Sequence, residues 1–217
     1  MPNLVTLNPF GYGINANDIN RILDPKTQDD TIVSKHVAHF FKIPNDKLTG
    51  DTLSRYVKAC DAMTNVSVGS YQDDIRNKLI NTIASAKRCF SYGEFLACIE
   101  LCALHAEMLA IFLIIVNPPL LSTTDSLDYD GMNQQCRIRL LQNGILTLEE
   151  STDLLKIHNT RINYFHHWHQ KHDEIEEDAL NSLTIISKVA AKFLEILNNS
   201  ENLEKIKTYM NTKVKEA

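Results

Sequence analysis

The chain has 217 residues, 44% of them hydrophobic and 23% charged, with seven glycines, six prolines and a net charge of −5. That length buries a full core, and the scarcity of turn formers favours long helices over a turn-rich β fold. The negative balance argues against a large basic face, so contact with nucleic acid must come from a local patch.

Five cysteines (Cys60, Cys89, Cys98, Cys102, Cys136) are an odd number with no CxxC pair. They read as reduced thiols filling core space in a cytoplasmic protein. The opening MPNLVTLNPFGYG has neither a basic nor an apolar signal region, so no secretory leader is expected. The most apolar run, MLAIFLIIV at 108–116, is too short by itself to span a bilayer, and no membrane is expected as a partner.

Residues 1–69 read as an N-terminal extension of short helices near 15–23, 28–42 and 51–66, closed by SVGS at 67–70, where Ser70 can cap the next helix. That helix, near 71–90, carries Ile75, Leu79, Ile83 and Phe90, and SYG at 91–93 breaks it. Another, near 94–116, places Phe95, Ile99, Cys102, Ala106, Leu109, Leu113 and Val116 at alternating spacings of four and three, an apolar stripe of helical period. A loop occupies 117–131. A short helix near 132–143 ends at Gly144, a fitting C′ residue. TLEE at 147–150 matches a capping box and starts the helix that leads into HNTRINYFHHWHQKHDE, 158–174. Asp173, Glu174, Glu176 and Glu177 suit the N-terminus of a last long helix, striped by Ala179, Leu183, Ile186, Ala190, Phe193 and Leu197. No strand alternation is evident. The predicted fold is all-α: an antiparallel helical bundle over 70–217 with a charged C-terminal tail, behind the extension at 1–69.

The stretch 158–174 holds five of the eight histidines and the one tryptophan. As a single straight helix it puts Leu155, Ile162, His166 and His169 on one stripe, and Arg161, Tyr164 and Trp168 on another, where the guanidinium can stack on the indole. Arg161 and His166 then lie about 140° apart around the axis, so they act together only if the helix kinks or two protomers contribute. His166, His169 and His172 are three apart in turn, yet HExxH, paired cysteines and a carboxylate at ligand spacing are all missing. No metal and no cofactor are expected. His105 reads as a core histidine, and Arg137 and Arg139 as a solvated face that could widen a phosphate-binding surface.

The run NGILTLEESTDLLKIHNTRINYFHH, the preceding SYGEFLACIELCALHAEM and the order of helices around them resemble the HEPN superfamily, helical-bundle proteins that include many prokaryotic ribonucleases. The resemblance covers about 71–199. It implies a motif formed by Arg161 and a histidine, His166 at Arg-x4-His spacing or His167 at one more, with Asn163 as the polar residue between them. The family commonly has Asn, Asp or His directly after the arginine; here that position is Ile162. Some toxin members carry a modifiable tyrosine two residues after the histidine; here that position is Trp168.

The resemblance further implies a metal-independent endoribonuclease, a toxin or antiviral-defence effector with RNA as substrate, a homodimer, and an antitoxin or regulatory protein as partner. In such a cleft Glu107 orients Arg161 or a motif histidine, the other reading being an exposed glutamate in line with Glu100. His158 could line the cleft, the other reading being a core or surface role, with Tyr164 and Trp168 as further binding candidates. The alternatives are a non-catalytic bundle that binds RNA, nucleotide or protein, and a dimeric scaffold assembled through the N-terminal helices.

Overall fold

The computed structural model describes residues 4–6, 40–42, 47–64, 67–69, 74–120, 132–167, 173–197 and 199–216. The helices expected at 15–23 and over most of 28–42, the Ser70 cap and the loop residues 121–131 lie outside these, as do Trp168, His169 and His172.

Everything is arranged around one helix. Its sequence, FLACIELCALHAEMLAIFLIIV, is apolar on nearly every side, and a helix of that kind is stable in water only when other helices cover it. It spans Phe95–Val116 and buries thirteen residues, from Cys98 to Val116. By length and apolarity alone it could also cross a membrane. The apolar stretch therefore extends well beyond the run at 108–116, because the Cys, Ala and Leu residues ahead of it continue the same surface.

In chain order, the helices are α1 (Gly50–Ala62), α2 (Asp74–Tyr92), the central α3 (Phe95–Val116), α4 (Met132–Gln142), α5 (Leu148–His166), α6 (Ile175–Leu197) and α7 (Ser200–Glu216). A 3-10 turn, Pro118–Leu120, comes after α3. α2, α4, α5, α6 and α7 all pack on α3. The protein is an all-α helical bundle.

Two glycines end helices as the sequence suggests. Gly93 has φ +82 and Gly144 φ +70. At the first, the Gly93 N–H donates to the Phe90 carbonyl and the Glu94 N–H to that of Cys89; at the second, Gly144 donates to Leu141 and Ile145 to Leu140. Both are Schellman closures, whose left-handed residue costs least as glycine. The capping box is complete: the Thr147 N–H donates to Glu150 Oε2 at 2.8 Å, and the Glu150 N–H to Thr147 Oγ1 at 3.2 Å.

α5 and α6 run antiparallel and are tied at both ends. Lys188 pairs with Glu149 and Lys192 with Glu150 near the start of α5, while Tyr164 near its end donates to Asp178.

Two features depart from the expected organisation. The stretch expected as a charged tail forms α7. Leu203 and Ile206 are buried there, Tyr209 packs on the core, and the Asn199 side chain accepts from the Glu201 N–H at the helix start. The apolar residues are few among many charges, so the helical stripe is inconspicuous in the sequence. Two strands, β1 (Leu4–Thr6) and β2 (Ser67–Gly69), also pair antiparallel with Val5 opposite Val68. Three residues are too few for alternation to register.

α1, within the segment read as an extension, packs on α2 and α6. Phe40, Phe41, Leu48, Leu53, Tyr56 and Cys60 form a small aromatic core of their own, while Ala59 and Met63 join the main one. Arg55 and Arg88 fasten this layer: Arg55 Nε donates to the Ser91 carbonyl and Arg88 Nη1 to that of Phe40.

The central position of α3 sets an energetic order. Leu109→Ala, at a fully buried site, is expected to lower unfolding free energy by roughly 2–5 kcal/mol, and Thr147→Ala, at the exposed cap, by about 1 kcal/mol. Urea denaturation of both variants checks the order; equal losses would show that α3 is not the keystone.

Candidate functional site

α3 carries two acids on the side that faces α5, Glu100 and Glu107, two helical turns apart. Arg161 of α5 reaches between them. Its Nε donates to Glu100 Oε2 at 2.8 Å, and its Nη1 lies 3.6 Å from Glu107 Oε1. The guanidinium and Glu100 are about one-third exposed and Glu107 less, at 34%, 39% and 19%. Solvent screens such pairs, so their effect is to orient the guanidinium more than to stabilise the bundle. The Glu107–Arg161 pairing is one of the alternatives that the sequence left open for Glu107. The tighter contact, to Glu100, is not among the sequence-based expectations, although two acids seven residues apart in an otherwise apolar helix are a signal for it.

His158 stands one turn before Arg161. Partial burial is the main cause that lowers its pKa, with the Arg161 and Arg137 charges adding to it. Its Nδ1 is buried without a hydrogen-bond partner. Arg137 extends from α4 and donates to Ser151 Oγ at 2.6 Å, while Arg139 turns away to the Leu120 carbonyl. The structure therefore gathers Glu100, Glu107, Arg137, His158 and Arg161 where α3, α4 and α5 meet: two acids, two guanidinium groups and an imidazole biased toward neutrality.

The other residues of the Arg-x4-His stretch are distributed differently. α5 is uninterrupted through His166, so no break relieves the angular separation of Arg161 and His166 within one chain. His166 and Asn163 are exposed, and Ile162 is half-buried. His167 is the C-cap of α5 and half-buried. Tyr164, read as lining a cleft, is instead buried, with its hydroxyl 2.7 Å from Asp178 Oδ2. Burial and then the Asp178 carboxylate raise its pKa, which suits a fixed donor between α5 and α6. Among the described residues, no three or more His, Cys, Asp or Glu side chains come together as a metal site.

His105, on α3, is wholly buried. Neither ring nitrogen has a partner of good hydrogen-bond geometry. Burial pushes its pKa down to about 3, against a smaller opposing effect of the Leu79 backbone.

Fold and site together define a class: an all-α bundle with a carboxylate-held arginine where three of its helices meet. Beyond that class, no family model, no curated protein and no solved structure matches the chain.

His105 gives this class a testable pH response. Its folded pKa lies below the ordinary value of about 6.5, so the unfolded chain takes up the proton first. The contribution is fully present above pH ~6.5 and is lost as pH falls toward 3, by up to ~1.4 kcal/mol per unit. Denaturation series between neutral and acid pH should show His105→Leu losing up to one proton of that slope. An unchanged slope would mean the imidazole is not held neutral.

Proposed function

We propose that the chain is a HEPN-type, metal-independent endoribonuclease that acts as a toxin or antiviral-defence effector in the cytoplasm. The single observation that carries this reading is the placement of Arg161. Two carboxylates on α3 fix its guanidinium at the bundle surface, while His166 stands exposed at the end of the same helix. One copy separates the two groups around α5, so the reading requires a homodimer in which one protomer's arginine faces its partner's histidine. Leu96 and Phe165, 46% and 43% exposed, lie one turn from Glu100 and Arg161 and supply apolar surface for such a pairing.

The chemistry is proton transfer and charge stabilisation. An imidazole takes the proton from an RNA 2′-hydroxyl, and the oxygen attacks the adjacent phosphorus. The guanidinium holds the phosphate oxygens as negative charge accumulates. The 5′ oxygen leaves with a proton, so the products are a 2′,3′-cyclic phosphate and a 5′-hydroxyl. An antitoxin or regulatory protein is the natural partner of such an activity.

A second reading, a non-catalytic bundle that binds RNA, nucleotide or a partner protein, is favoured by two specific features. Glu100 and Glu107 offset the charge of Arg161, and Ile162 occupies the position where the family commonly carries a polar residue.

Purified protein incubated with mixed RNA and EDTA should yield cyclic phosphate ends. Arg161→Ala and His166→Ala should each slow this by roughly 10²-fold or more while the circular dichroism spectrum stays native. Cleavage that persists undiminished in both variants overturns the enzymatic reading; RNA binding without cleavage by wild-type protein selects the second one.

A further inference from the structure

Away from that site, Lys87 of α2 is a lysine with no exposed surface, an uncommon state for this residue type. Its Nζ lies 3.0 Å from Cys60 Sγ of α1, with the Tyr56 ring centroid at 4.5 Å and that of Phe40 at 5.7 Å. The aromatic faces favour the ammonium, as does the neighbouring sulfur. Burial is the larger influence and lowers the lysine pKa. Cys60 is buried too, with 6% of the residue's surface left against none for Lys87, so the pair is shielded from bulky reagents and only a small oxidant could reach it.

We propose that Cys60 and Lys87 form an oxidative modification site, in which a peroxide joins the sulfur to the amine and bolts α1 to α2. The Lys87 amine takes the thiol proton as the Cys60 sulfur attacks hydrogen peroxide; the O–O bond breaks, and Cys60 becomes a sulfenic acid with release of hydroxide. That hydroxide takes a proton from Lys87, whose ammonium has lost its anionic neighbour in a buried setting, and forms water. The free amine attacks the sulfenic sulfur, an S–N bond forms, and the S–O bond breaks with loss of a second water. The sulfur is oxidised by two electrons, one peroxide is reduced to two waters, and charge is conserved. The flexible lysine stem covers the remaining approach. A thiol reductant reverses the linkage by attack at sulfur.

The test treats the full-length protein with hydrogen peroxide under native conditions, then digests it for mass spectrometry. The expected product is a Cys60–Lys87 cross-linked peptide, lighter by two hydrogens than its separate parts, lost on treatment with dithiothreitol, and absent from Cys60→Ser and Lys87→Arg proteins. The decisive reading comes from the wild-type protein, so poor folding of a variant does not blur it. Recovery of Cys60 unlinked, as a free thiol or as an oxygen-bearing acid, while half-buried Cys89 is oxidised overturns the proposal.

Discussion

A helix that is apolar on nearly every side must be surrounded, and α3 imposes that requirement on the bundle. Covering it takes α2, α4, α5, α6 and α7, and their arrangement fixes where polar groups on α3 can survive. Glu100 and Glu107 persist because they meet Arg161 at the partly solvated seam with α5. His105, on the same helix but turned inward, has no comparable outlet and is held neutral by its surroundings. Carboxylate and imidazole thus behave differently on one helix because of the direction each faces.

The Arg161 cluster is close to charge balance, with two acids against two guanidinium groups. Such a cluster draws a phosphate weakly from afar and holds the guanidinium well oriented at close range. For the proposed RNA cleft this means that positioning counts for more than long-range attraction, in a chain whose net charge is −5. The exposed C-terminal half of α5 is where a second surface must come if an imidazole is to face Arg161, because an unbroken helix cannot turn both side chains to one side.

The layer formed by α1 and α2 obeys another logic. Phe40, Phe41 and Tyr56 pack with ring centroids 5.0–5.3 Å apart, and the Phe40 and Tyr56 rings flank Lys87. A buried lysine is costly unless its surroundings supply electron-rich faces and an acceptor. Here the rings and the Cys60 sulfur supply both, which places a nucleophile and an oxidisable atom in contact inside the fold.

Local signals in the sequence determined a good deal. Apolar residues at helical spacing marked α2, and the four-three spacing marked α3 and α6; Thr147 with Glu150 marked the start of α5; Gly93 and Gly144 marked two helix ends. All of these rest on interactions within a few residues, where spacing is geometry. Arg161 was legible as a candidate, and Glu107 as its possible partner. Tertiary structure alone decided that Glu100 makes the closer contact across 61 positions, that Tyr164 turns inward to Asp178, and that Lys87 meets Cys60. It also decided that the sparse apolar residues of α7 suffice, because Leu203 and Ile206 find a place in the packed bundle. Those contacts join residues far apart in the chain, and their partners are set by how helices pack around α3, which no local pattern specifies.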